Sequence, residues 1–167
     1  MEYISSDTNV WIDFNLVARL EMPFRLECTY IMFEEAIEDE IRSPIGLKEE
    51  LLKLGLEGVT ITTDEYYYAD ALGEKYPRLS AYDRIALSIA KERSISLLTG
   101  DMELRKAAKK EDVLVLGTIG LLDRLMAEKR ISNEEYTGCI KDFIQKNGDG
   151  IRLPEDELRR RLEDCES

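Results

Sequence analysis

The sequence predicts an α/β fold, a three-layer α/β/α sandwich with a central, mainly parallel sheet. Two observations predict it. Short apolar or β-branched runs alternate with longer stretches of helical periodicity, the pattern of strands joined by crossover helices. At 167 residues and 44% hydrophobic content, the chain is also large enough for one full core.

Residues 2–6 read as a short strand, and Asp7 follows it at once. Residues 8–21 show helical spacing through Val10, Trp11, Phe14, Val17 and Ala18, with Pro23 as the expected stop. Residues 28–32 suit a second strand. Residues 33–41 suit a helix with Phe33, Ala36, Ile37 and Ile41 on one face, and residues 46–54 another, stopped by Gly55. The β-branched residues 59–61 read as a third strand, and residues 63–75 as a helix broken at Tyr76-Pro77. Residues 80–93 predict a helix with Ile85, Ala86, Ile89 and Ala90 as its buried stripe. A strand at 95–99, a Lys/Arg-rich helix at 101–110 and a strand at 113–116 follow. Helices are then expected over 118–129, 132–146 and 154–165, with Asn147-Gly148-Asp149-Gly150 as the one candidate linker.

Composition narrows the chemistry. The chain has no histidine, which removes Ser-His-Asp and Cys-His nucleophiles and His-ligated zinc. Cys28, Cys139 and Cys165 have neither metal-ligand nor redox-motif spacing. No apolar run approaches the roughly 18 residues of a membrane helix, and the N-terminus is unlike a secretory signal, so a cytoplasmic protein is expected. Hydrolysis by this chain must therefore use carboxylates, with a hard cation to help them. The net charge of −12 opposes a nucleic-acid partner unless a local basic patch and a bound cation offset it. It also suits a basic protein partner.

Three aspartates share a type of position. Asp7 follows the first strand, Asp101 follows the 95–99 strand across Gly100, and Asp83 lies in the first turn of the 80–93 helix. Ligands of open parallel sheets bind outside the carboxyl ends of the strands. Carboxylates gathered there repel one another until a cation joins them, and oxygen-only ligands select Mg²⁺ or Mn²⁺. Helix capping competes with this reading at each residue. Ser80-Ala81-Tyr82-Asp83 matches a capping box, and Asp7 and Asp101 each precede a helix.

The order of these motifs resembles the PIN-domain family, which includes ribonuclease toxins of toxin–antitoxin pairs. Ile4-Ser5-Ser6-Asp7-Thr8-Asn9-Val10-Trp11-Ile12 is similar to the family's first motif. Ala36-Ile37-Glu38-Asp39-Glu40-Ile41 resembles the second, and the stretch from Leu79 to Ala90 around Asp83 the third. Leu97-Leu98-Thr99-Gly100-Asp101-Met102-Glu103-Leu104 resembles the fourth, and Leu116-Gly117-Thr118-Ile119-Gly120-Leu121-Leu122 a segment of one branch. The resemblance implies a PIN-like nuclease domain over residues 1–130, with 131–167 as a C-terminal helical extension packed on the same domain.

It further implies Asp7, Glu40, Asp83 and Asp101 as catalytic residues, with Asp7, Asp83 and Asp101 as ligands of Mg²⁺ or Mn²⁺. Glu34, Glu35, Glu38 and Asp39 crowd Glu40 and leave its register open. Thr99, Arg105 and Lys109 are the expected substrate contacts, the last two within the basic run Arg105, Lys106, Lys109 and Lys110. RNA is the implied substrate, an antitoxin a possible protein partner, and a homodimer the expected assembly. Two rivals stand beside this reading. One is another Mg²⁺-dependent phosphohydrolase, although Asp7-Thr8-Asn9 lacks the second Asp of a haloacid-dehalogenase phosphatase motif, and no Lys follows the late strand as a receiver needs. The other is a PIN-like binding module without activity.

Overall fold

The computed structural model describes residues 1–166. Five strands pair into one sheet: β1 (Glu2–Ser6), β2 (Cys28–Phe33), β3 (Glu57–Val59), β4 (Ser96–Leu98) and β5 (Val115–Leu116), in the order β3-β2-β1-β4-β5. Every pairing is parallel. The chain steps outward from β1 to β3, returns to β4 on the other side of β1, and steps outward again to β5. With right-handed crossovers, this reversal puts helices on both faces, giving the three-layer α/β/α class. The reversal lies between β1 and β4, where such sheets bind ligands.

The helices among the described residues are α1 (Thr8–Leu16), α2 (Glu34–Glu40), α3 (Leu47–Leu54), α4 (Thr63–Lys75), α5 (Ala81–Glu92), α6 (Met102–Lys110), α7 (Thr118–Ala127), α8 (Asn133–Lys146) and α9 (Glu155–Glu166). A short 3-10 turn spans Met22–Arg25. None of the helices is long and apolar enough to cross a membrane.

The chain divides into two compact units, Met1–Val10 with Glu27–Gly117, and Trp11–Leu26 with the chain from Thr118 onward. The first unit contains the whole sheet. Its core includes Leu72, Leu87, Ala90, Leu97, Leu104, Ala107 and Ala108. Glu111 closes this core at the end of α6, accepting hydrogen bonds from the Tyr68 and Tyr76 hydroxyls and from Lys75. In the second unit Trp11 stacks on Phe24 at 5.1 Å, and Phe14 meets Phe143 edge-on at 5.6 Å. Arg161 of α9 forks onto Asp123 of α7 at 2.8 Å, with the Tyr136 hydroxyl on the same carboxylate.

Several elements depart from the sequence expectation. The first helix stops at Leu16 instead of Glu21, and Pro23 sits inside the 3-10 turn. β3 is Glu57–Val59, two residues earlier than expected, because pairing with Ile31–Phe33 of β2 sets its register. β5 is only Val115–Leu116. On α5 all of Ala86–Ala90 is buried, so the stripe widens to the full girth of the helix while Ile85 stays half-buried.

The helix ends explain the first of these departures. Ala18, Ser94, Asp112 and Lys129 all have φ between 55° and 60°. Each is followed by an N–H that reaches back to a carbonyl five residues earlier: Arg19 to Phe14, Ile95 to Ala90, Val113 to Ala108 and Arg130 to Leu125, all within 2.9 Å. This is the left-handed stop in which glycine is favoured, built here from four other residues. A left-handed L-residue costs roughly 1–2 kcal/mol, part of which glycine's own flexibility takes back. Ala18→Gly is therefore expected to stabilise the protein by about 0.5–1 kcal/mol in urea unfolding. An unchanged or lowered midpoint would show that Ala18 is held without strain.

Candidate functional site

Register places the first two acids. Ser6 pairs with Leu98, and the Asp7 N–H donates to the Leu98 carbonyl at 2.9 Å, so Asp7 comes to lie beside Thr99. The preceding serines anchor the strand end. Ser5 Oγ donates to the Ala86 carbonyl of α5 at 2.8 Å and Ser6 Oγ to the Ile31 carbonyl at 3.4 Å. Asp7 is 9% exposed. Its Oδ1 accepts the Thr8 N–H at 2.8 Å and its Oδ2 the Thr99 hydroxyl at 3.0 Å. The Asp101 N–H donates to the same Thr99 oxygen at 3.1 Å, so one buried hydroxyl links Asp7 to Asp101. Asn9 Oδ1 accepts the Gly100 N–H at 3.1 Å and fixes the intervening turn.

The capping readings of two acids hold in the structure. Asp101 is the N-cap of α6, its Oδ1 taking the Leu104 N–H at 3.0 Å. Asp83 completes a capping box with Ser80, its Oδ2 taking the Ser80 N–H at 3.3 Å. Neither Asp83 Oδ1 nor Asp101 Oδ2 takes a hydrogen bond among the described residues, so each cap leaves one oxygen for other work. Asp7 is different: its bond goes to the first helical N–H rather than to a deeper one of the first turn.

Glu40 is the last residue of α2 and accepts the Thr8 hydroxyl at 3.2 Å. Its crowded neighbours turn elsewhere. Glu38 pairs with Lys48 at 3.1 Å, and Asp39 accepts the Tyr82 hydroxyl. Asp7 and Glu40 border a small cleft walled by Met32, Phe33, Ala36, Tyr82 and Ala86.

The four acids form one electrostatic group. Burial, with Asp83 and Glu40 adding to it, pushes the Asp7 carboxyl up to about 7 against the Thr8 and Thr99 hydrogen bonds. Burial also raises Glu40, against the Thr8 hydroxyl and helped by Asp83 and Asp39. It raises Asp83 against its Ser80 bonds, helped by Asp101. No Lys or Arg pairs with any of these four among the described residues. Elsewhere in the same unit, buried acids are matched. Burial would raise Glu65 and Glu111, but Arg93 lowers the first, and Tyr68, Tyr76 and Lys75 bring the second down to about 2.

The donor chemistry fits a hard divalent cation: oxygen only, mutually repelling, with no cationic side chain to balance it. The expected convergence of Asp7, Asp83 and Asp101 is looser than ready-made ligation. Among the described residues no three Asp, Glu or Cys side chains meet at metal-ligand spacing. Each carboxylate is held back by its own hydrogen bonds to Thr8, Ser80 or Leu104, while like charge opposes closer approach.

The remaining candidates divide by depth. Thr99 is fully buried and its proton goes to Asp7, so its position is between the acids rather than toward a substrate. Arg105 lies one turn beyond Asp101, half-buried, with its guanidinium against Gly117, where an added Cβ would sit 2.7 Å from it. Lys109 is exposed a further turn along, about 12 Å from Asp101 by helical rise. Sequence reasoning missed the roles of Thr8 and Asn9. Their signal was their place directly after Asp7, but only the fold supplies their partners. It also missed Asp13, in the second unit, which burial raises to about 6 against a Thr118 hydrogen bond of 2.7 Å.

The raised Asp7 carboxyl sets a pH dependence. The folded form holds a proton between pH 3.8 and about 7 that the unfolded form has released, so stability falls as pH rises through that window. The effect is at most about 4 kcal/mol. In EDTA, Asp7→Asn is expected to lose less stability than wild type between pH 5 and 8, and to be the more stable protein at pH 8. Parallel urea-unfolding curves for the two proteins would contradict this.

A family model described as the PIN domain matches residues 3–167. No curated protein and no solved structure matches the chain. The match covers the strands and helices described above, β1 from Tyr3 onward, including the segment beyond residue 130. The chain therefore belongs to the PIN-domain family, a nuclease-like fold.

Proposed function

We propose that the protein is a Mg²⁺- or Mn²⁺-dependent endoribonuclease that hydrolyses RNA phosphodiesters. The observation that carries this reading is the group of four carboxylates with no cationic partner at the sheet's reversal point, in a unit where the buried acids Glu65 and Glu111 each have one. Family membership supports the same class, since the family is in general one of metal-dependent ribonucleases. Asp7, Asp83 and Asp101 are assigned as ligands, and Glu40 completes the site. An ion held there would supply positive charge against the phosphate and would lower the pKa of the attacking water. Glu40, a carboxyl raised above its ordinary range, accepts the proton of that water. Thr99 keeps Asp7 and Asp101 in register, and Arg105 and Lys109 are assigned to substrate phosphates, Arg105 being the nearer. The resemblance of the motifs to toxin ribonucleases extends the proposal to a cytoplasmic toxin, homodimeric and countered by an antitoxin. The charge of −12 supports a basic protein partner.

Purified protein is expected to cleave RNA with Mg²⁺ or Mn²⁺ and to stop on addition of EDTA. Asp83→Asn keeps a capping acceptor, and Glu40→Gln keeps an acceptor for Thr8. Each is nonetheless expected to lose about a hundredfold or more in kcat with its fold intact. Independently of cleavage, Mn²⁺ is expected to raise the Tm of wild type by mass action and to leave Asp83→Asn unmoved. A Mn²⁺ shift without cleavage of any RNA would replace the enzyme with a metal-binding scaffold of PIN type. Absence of both would end the proposal.

A further inference from the structure

We infer that Arg42 and Arg78 hold the phosphates of an RNA strand on the two sides of the acid cluster, an assignment that rests on the ribonuclease reading. Nine of the thirteen arginines fall into three groups. Arg19, Arg25, Arg93, Arg124, Arg159 and Arg161 each have a carboxylate within 3.2 Å. Arg84 is bound to the carbonyls of Ala69 and Ser80. Arg42 and Arg78 have longer carboxylate contacts than the first group, and Arg42 also places its Nε 3.4 Å from the Glu38 carbonyl. Arg42 meets Asp39 only at 3.6 Å with its side chain 75% exposed, and Arg78 meets Glu103 only at 3.8 Å with its side chain 83% exposed. Exposed pairs this loose are given up to a better partner at little cost.

Their positions are not scattered. Arg42 follows Glu40 by two residues, in the loop between α2 and α3. Arg78 precedes the Ser80–Asp83 capping box by two residues, and its partner Glu103 follows Asp101 by two. One loose arginine thus stands on the Glu40 side and the other on the Asp83–Asp101 side. A chain of net charge −12 repels RNA at long range, so local cations have to hold the strand. A guanidinium suits that task, because its planar fork matches two phosphate oxygens at once. Asp39 and Glu103 keep the two forks near the site until phosphate replaces them. This track differs from the Arg105–Lys109 helix face, which runs away from the acids along α6.

The test uses the full-length protein and a short labelled single-stranded RNA. Fluorescence anisotropy with Ca²⁺ in place of Mg²⁺ gives Kd, and cleavage with Mg²⁺ gives KM and kcat. Arg42→Ala and Arg78→Ala are each expected to weaken binding about fivefold at 0.1 M salt and to reduce the slope of log K against log salt by about 0.7. KM should rise by a similar factor with kcat unchanged, since contacts to remote phosphates are made equally in ground and transition states. Arg42→Lys should recover part of the loss, and Arg160→Ala on α9 should change nothing. Wild-type binding and cleavage with both arginine variants behaving as wild type would overturn this inference and leave the ribonuclease reading standing. A drop in kcat at unchanged Kd would overturn it as well. A wild-type protein that neither binds nor cleaves RNA would overturn both.

Discussion

The parallel pairing of β1 with β4 is the constraint on which the site depends. One register, Ser6 opposite Leu98, puts Asp7 beside Thr99 and leaves Asp101 two residues further on. A slip of one residue would turn Asp7 to the other face of the sheet. It would also separate it from the hydroxyl that it shares with the Asp101 backbone. The pairing is well secured. Leu97 and Leu98 are fully buried, the Asp7 N–H closes the ladder on Leu98, and Ser5 locks the strand to α5. Apolar burial thus does the positioning, and the carboxylates arrive as consequences of it.

Charge is treated differently at this point than elsewhere in the sheet-bearing unit. Glu65, 2% exposed, is gripped by Arg93 at 2.7 Å, and Glu111 by two tyrosines and a lysine. Those acids are stabilised as anions and brace α4, α5 and α6. Asp7, Glu40 and Asp83 receive only backbone N–H and hydroxyl donors, and burial wins against them. The protein therefore carries a destabilised anionic group where its strand order reverses, a type of local cost that marks functional sites.

Capping and ligation are not rivals in this geometry. Asp83 and Asp101 each spend one oxygen on a helix N-terminus and keep the other. The cap does useful work for the site. It fixes the carboxylate's rotamer, and the helix end favours a negative charge there. A residue that both starts a helix and faces the sheet's carboxyl end is restrained by local structure before any ligand arrives. Tethering also explains why the acids stand near one another without closing to ligand spacing.

The sequence by itself determined the alternation of strands and helices, and with it the parallel sheet. It also placed α4 at its observed bounds, with Tyr76-Pro77 as a local stop that needs no partner; in the structure Thr62 starts the helix through a capping box with Glu65. It marked Asp7, Asp83 and Asp101, since position after a strand or in a capping box is written in neighbouring residues. The left-handed form of four helix stops was not legible, although α5 and α6 end within a residue of expectation. Ala18, Ser94, Asp112 and Lys129 turn left-handed because the following residue must be buried or bonded back onto its helix, a demand imposed by packing and not by residue type. The start of β3 likewise depended on β2, and residue type alone favoured the β-branched residues after it. The motif resemblance named Glu40 but left its register open among five neighbouring acids, and only the tertiary structure gives Glu40 a contact that its neighbours lack. Its distinction is a hydroxyl on Thr8, 32 residues away in the chain, and no pattern within α2 encodes a contact whose partner follows a different strand.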